Sequence, residues 1–140
     1  MTTAATAAAT KAELDSLTAE FFGAFDNRGG RPARVSRISD LMLPGGIIVR
    51  TGPGFTAHTV AEFVEPRREL LASGRLVEFA EWETSEHTEV SGDVAARIGT
   101  YRKSGILDGV AFEGGGTKTF QFVRTPAGWR IAAFSWHDLD

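Results

Sequence analysis

Three histidines, one tyrosine and no cysteine set the reactive inventory of this 140-residue chain. Without cysteine there is no disulfide, no thiolate nucleophile and no thiolate metal site. What remains is acid–base chemistry, with imidazoles that titrate near neutral pH set beside carboxylates. His137, in the run Ser135-Trp136-His137-Asp138, is the candidate general base. Its plainer reading is a half-exposed histidine on a terminal strand. His87 follows Glu83 by four residues, a spacing that places both on one side of a strand as a second acid–base pair. On a Glu-rich edge strand the plainer reading of that pair is a solvated face. His58 precedes a helix start, where a capping or gating role competes with simple exposure. No histidine spacing matches a ligand pattern such as His-x-x-x-His, so no metal is expected. Arg31, Arg34 and Arg37 recur at helical spacing and read as a solvated helix face, with anion binding as the alternative.

The elements that must position these groups lie mostly in the last third of the chain. Residues 94–107, 110–124 and 129–137 are strand-like, separated by Asp108-Gly109 and by Thr125-Pro126-Ala127-Gly128. Asp-Gly between two such runs signals a tight hairpin, because both turn residues take positive φ. A fourth strand covers residues 75–90. Upstream, Thr10-Lys11-Ala12-Glu13 has the form of a capping box. Leu14, Leu17, Phe21, Phe22 and Phe25 follow it at helical spacing. Val35, Ile38 and Met42 suggest a second short helix, and residues 47–50 a brief strand. Thr59-Val60-Ala61-Glu62 opens a third helix that runs to about Ala72, in which Pro66 predicts a kink or split. A single domain over residues 10–140 is expected, behind a disordered tail over residues 1–9.

Register decides which side chains share a face, since a one-residue slip turns every side chain over. A two-residue turn at Asp108-Gly109 alone sets Arg97 opposite Phe120, a poor match. One extra residue in Gly114-Gly115-Gly116, read as a bulge, sets Ile98 opposite Phe120 instead. The expected helix-covered face then carries Val94, Ala96, Ile98, Phe120, Phe122, Trp129, Ile131 and Ala133. Its polar end carries Thr100, Lys118, Ser135 and His137, joined by Glu83, Ser85 and His87. The expected ligand-binding residues are therefore Thr100, Lys118, Ser135, Phe120, Trp129, Glu83 and His87, with His137 catalytic. The other face carries Trp82, Tyr101, Gln121, Phe134 and Trp136, with Glu86 and Arg97 as a cross-strand pair. An aromatic outer face needs a cover, which makes those five residues the expected homodimer interface.

Apolar and charged fractions of 42% and 24% are those of an ordinary globular protein. A net charge of −3 argues against nucleic acid or an anionic membrane as the main partner. No apolar run approaches the roughly 20 residues of a membrane helix. The Ala/Thr-rich opening lacks the basic start and hydrophobic core of a signal peptide, so a cytoplasmic protein is expected.

The Leu/Phe-rich first helix, the helix from Phe63 to Leu71 and above all KTFQFVRTPAGWRIAAFSWHD at residues 118–138 resemble the nuclear transport factor 2-like superfamily, in its SnoaL-like branch. The resemblance spans residues 10–138. It implies an α+β cone, a cone-shaped α+β barrel in which three N-terminal helices pack on a strongly curved, mainly antiparallel sheet. It also implies an elongated apolar pocket for a small apolar or aromatic ligand, and homodimers formed through the convex face. The enzymes of the family include ketosteroid isomerases, polyketide cyclases, limonene epoxide hydrolases and scytalone dehydratases. The isomerase pattern needs a carboxylate at the end of the first strand, where this chain has Val49-Arg50-Thr51-Gly52. Asp40 lies earlier, near a helix end, and does not take over that role. Two readings stand: cofactor-free isomerisation, cyclisation or dehydration with His137 as base, or a non-catalytic ligand-binding or dimerisation module.

Overall fold

The computed structural model describes residues 3–139. Its first helix, α1, covers Ala4–Gly23, with the Thr3 side chain accepting from the Thr6 amide at 3.1 Å. The expected tail is thus helical from Ala4 onward, because an alanine run has the highest helix propensity and Thr3 rather than Thr10 supplies the cap. Met1 and Thr2 of that tail lie outside the described residues. Leu14, Leu17, Phe21 and Phe22 are buried as their spacing predicts, with Phe25 just past the helix end. Phe21 is the centre of the core, its ring 4.8–5.5 Å from those of Phe22, Phe25, Phe120 and Phe134, all edge-on.

After α1 the buried Asn27 ties three segments together. Its Nδ2 donates to the Leu71 and Leu76 carbonyls, and its Oδ1 accepts from the Phe79 amide. A short helix α2, Ile38–Leu41, follows and buries Ile38 and Leu41. The third helix, α3, Val60–Ala72, opens with the predicted Thr59–Glu62 capping box. Pro66 does not split it: one helix runs through, because Phe63 and Val64 on one side of the proline and Leu71 on the other are anchored in the core.

Six strands form one sheet, mostly antiparallel and strongly curved: β1 Met42–Thr51, β2 Phe55–His58, β3 Leu76–Ser91, β4 Val94–Leu107, β5 Val110–Thr125 and β6 Gly128–Asp138. The order across it is β2-β1-β6-β5-β4-β3. All pairs are antiparallel except β1 with β6, where Arg50 stands beside Trp136 and Thr51 beside His137. β2, expected as loop, closes the edge against β1.

The expected bulge in Gly114-Gly115-Gly116 is absent. β4 and β5 pair without interruption from Leu107–Val110 to Val94–Val123, so Arg97 does face Phe120. The extra residues lie on the flanking strands instead, at Ala132 in β6 and, in β3, at Thr84 and between Val77 and Ala80. The glycines serve close approach: a Cβ on Gly115 would sit 3.0 Å from Arg102 Cδ. The covered face consequently carries Arg97, Tyr101, Lys118, Phe120, Phe122, Trp129, Ile131, Phe134 and Trp136, all buried. Val94, Ala96, Ile98 and Thr100 turn outward instead and are exposed, and Ala133, Ser135 and His137 alternate away from the core with them.

Candidate functional site

The fold brings a lysine into the middle of its aromatic core. Lys118 on β5 has Gly99 of β4 on one side and Trp136 of β6 on the other. Its residue is 5% exposed. The ammonium lies 4.4 Å from the Tyr101 ring centroid, 5.2 Å from that of Trp136, and 5.7 and 5.8 Å from those of Phe21 and Phe22. Such rings attract a cation through their negative faces. Among the described residues the carboxylate paired with it is Glu81 of β3, 3.4 Å away, its side chain only 9% exposed. Burial pushes the Lys118 pKa below that of an ordinary lysine, with Glu81 opposing the shift.

A second ionic group sits beside this pair. The Tyr101 hydroxyl donates to Asp138 Oδ1, and Lys103 Nζ reaches the same oxygen at 3.2 Å. Burial raises the Asp138 pKa, but the hydrogen bond from Tyr101 and the charges of Lys103 and Lys118 outweigh it and hold the carboxyl below its usual range.

Both groups line an open-ended cavity of about 360 Å³, within the usual range for small-molecule sites. Its apolar wall is Phe25, Phe63, Leu70, Leu71, Leu76, Phe79 and Trp136, with Pro66 at the helix edge. Its charged lining is Arg50, Arg67, Glu81, Lys103, Lys118 and Asp138. Arg67, from α3, stacks its guanidinium 3.9 Å above the Phe63 ring and donates Nη1 to the Phe63 carbonyl at 3.0 Å. Burial pushes its pKa down to about 10, against the pull of Glu81, so it stays cationic at neutral pH.

Of the residues expected at the site, Lys118 is in the cavity wall. Phe120 and Trp129 are buried in the core and do not line the cavity. The bulge at Thr84 puts Glu83 and His87 on opposite faces: Glu83 accepts from buried Arg97 at 2.5 Å, while His87 Nε2 faces Glu89 at 2.7 Å in solvent. Thr100, Ser135 and His137 lie on the outer face. They bond there to Ser85 at 2.5 Å, Thr119 at 2.6 Å and Thr51 at 2.8 Å. The expected interface set divides as well. Trp82 and Gln121 are exposed on the outer face, but Tyr101, Phe134 and Trp136 point into the cone, and Trp136 lines the cavity. Trp82 stands opposite Arg102, so it makes no cross-strand pair with Tyr101. Glu86 and Arg97 do approach, at 3.7 Å, but on the covered side.

Sequence reasoning passed over Glu81, Arg67, Lys103, Arg50 and Asp138. The signal for them was the aromatic count per face. An unbroken β4–β5 register with the bulge moved to β6 gathers Tyr101, Phe120, Phe122, Phe134 and Trp136 on one side, and the charges among them follow.

No family model and no curated protein matches this sequence. Solved structures do match over nearly the whole chain. A nuclear transport factor 2-like superfamily protein from Salmonella enterica serovar Typhimurium superposes with a TM-score of 0.75 at 12% identity, covering 93% of this chain and 91% of that one. A hexachlorocyclohexane dehydrochlorinase, LinA-type3, from Novosphingobium barchaimii gives 0.74 at 17%, covering 94% and 88%. A nuclear transport factor 2-like protein with a cystatin-like fold from Novosphingobium aromaticivorans gives 0.69 at 22%, covering 100% and 92%. No described helix is long and apolar enough to cross a membrane.

Proposed function

We propose that this chain, which has the nuclear transport factor 2-like fold, holds a small and largely apolar molecule in its cone and performs cofactor-free acid–base chemistry on it, with Glu81 as base and Lys118 as the cationic partner. The observation that carries the reading is the buried Lys118–Glu81 pair on the wall of the cavity. Taking two charges out of water costs several kcal/mol per ion, on the order of what their attraction returns. A pair kept in such a place is therefore poor evidence of a stabilising device and good evidence of a functional one. In the step this geometry supports, the Glu81 carboxylate accepts a proton from a carbon next to a carbonyl of the ligand. The C–H electron pair becomes a C=C bond as the carbonyl pair moves onto oxygen, where the Lys118 ammonium stabilises the enolate. Return of the proton to the same carbon exchanges it, and in a ligand with a β,γ double bond return to the γ carbon shifts that bond into conjugation and completes an isomerisation. His137, on the outer face, takes no part in this reading.

The test is deuterium incorporation by NMR into a panel of aryl and cycloalkyl ketones in D2O. Exchange at least tenfold above buffer, lost in both Glu81→Gln and Lys118→Met, is the expected result. Ketones that bind without exchanging would leave a non-catalytic binding module, and ketones that do not bind would remove the ligand reading altogether.

The outer sheet face supports a second copy as partner. Trp82, Val94 and Ile98 stand there 44%, 55% and 50% exposed, among uncharged Ala96, Thr100, Thr119 and Gln121. Light scattering that gives a dimer mass for the parent protein and a monomer mass for Ile98→Glu is expected, and a monomeric parent would refute this assembly.

A further inference from the structure

The charges around the cavity do not balance, and the imbalance identifies a ligand class. Lys118 has Glu81 and Lys103 has Asp138. Those two pairs use every carboxylate in the lining and leave Arg67 and Arg50 over. Among the described residues neither arginine has an ion-pair partner, whereas the surface arginines Arg28, Arg68 and Arg75 each have one and Arg37 has two. Arg50 is exposed at the rim, where solvent screens it. Arg67 is largely withdrawn from water, 3.9 Å over the Phe63 ring and 5.5 Å from that of Trp136, with one N–H spent on a backbone carbonyl. A guanidinium offers five N–H donors in a fixed fork suited to two parallel bonds with a carboxylate. The wall beside it is apolar and aromatic.

We infer that the cone is selective for an apolar monoanion, an aryl or alicyclic carboxylate whose body lies against Phe63, Leu71, Phe79 and Trp136 and whose carboxylate is held by Arg67, with Arg50 drawing it in from the rim. This inference rests on the reading of the cone as a ligand cavity. A monoanion fits better than a dianion, because one surplus cation is buried and Glu81 and Asp138 repel further negative charge. Burial, with Arg50 nearby, lowers the pKa of Arg67 against the pull of Glu81 and Asp138, and an anion bound beside it opposes that shift.

The experiment compares acid and primary amide of the same shape by calorimetry: benzoate with benzamide, cinnamate with cinnamamide, 2-naphthoate with 2-naphthamide. In at least one pair the acid is expected to bind tenfold or more tightly, with an affinity that falls as salt rises. Arg67→Met, which keeps the contact with Phe63, should bring the acid to the level of its amide and leave the amide within threefold of the parent. Arg67→Lys should restore part of the preference. Acid and amide binding equally to the parent protein would overturn the anion preference while leaving the cavity reading intact. Binding of none of the six would overturn both.

Discussion

Lys118 and Glu81 lie 3.4 Å apart although a whole strand separates them, for β4 runs between β5 and β3. Their side chains meet over its covered face, where the Lys118 ammonium lies 4.4 Å from the centroid of the Tyr101 ring. Removing one partner leaves an uncompensated buried charge. Lys118→Met is therefore expected to destabilise the fold by about 3–5 kcal/mol. The double variant Lys118→Met with Glu81→Leu should recover most of that loss. Urea unfolding midpoints, compared at constant m-value, check both.

Gly99 leaves room for the neighbouring Glu83 carboxylate and the β3 backbone. A Cβ there would lie 2.6 Å from the Ser85 carbonyl oxygen and 2.8 Å from Glu83 Oε2, the latter pinned by Arg97. Gly99→Ala must push rigid backbone aside, and a loss of roughly 1–3 kcal/mol is expected in thermal or urea unfolding. Gly109→Ala, with open space around it but φ at +82°, should cost only its backbone strain, of order 1 kcal/mol.

Arg97 fastens α1 to the sheet. It is 4% exposed and donates to Asp15 at 2.7 Å and Glu83 at 2.5 Å, while Lys11 bridges Asp15 and Glu86. Arg97→Met strands Glu83 in the interior, and a loss near 3 kcal/mol is expected. Because α1 is then held to the sheet by the Lys11–Glu86 ion pair without Arg97, amide exchange should accelerate first in residues 4–15. Uniform acceleration across the sheet would argue against that local role.

Much of the fold could be read from the chain because its signals are local. Leu14 to Phe25 share a helical period, Thr59 and Glu62 form a capping box, and Asp108-Gly109 marks a hairpin; each involves residues within a few turns of one another. β2 and the parallel β1–β6 pairing have no such local mark. The site was legible only at Lys118, since its other members depend on which way each strand faces. That choice was settled by Thr84 and Ala132, single extra residues in ordinary-looking strands, while the conspicuous glycines of β5 served close packing. Pro66 shows the same limit in reverse, a strong local signal overruled by anchored neighbours.

The acid response follows from carboxyls held below their usual range. Burial raises Asp138 and Asp15, but Tyr101 with Lys103 outweighs it for the first, and Lys11 with Arg97 for the second. A carboxyl lowered by folding stabilises the protein at pH values above its unfolded pKa. That stability is lost as pH falls through the folded value. Melting temperature should therefore drop from about pH 5 downward, and the drop should be shallower in Asp138→Asn. An unchanged slope would mean that Asp138 is not held low.

His137 lies outside the cone, against Thr51 and Gly52. His137→Asn is expected to leave the affinity for any ligand of the cavity within twofold, whereas Trp136→Ala, one residue away but facing inward, should weaken it at least tenfold. Calorimetry with 2-naphthoate measures both.

The parallel seam between β1 and β6 also governs when the cavity can come into being. Thr51 Oγ1 donates to the Trp136 carbonyl across 85 residues of chain. Arg50 at the rim meets Trp136 only through this seam. The β3–β4 and β4–β5 hairpins close over turns of two residues, but the seam requires ends far apart in sequence to find each other. Its closure entropy must be met before any packing compensates for it. The meander can thus take shape early while the mouth stays undone, so a partly folded chain has a sheet and no finished cavity, and closing the mouth is left to the final event of folding.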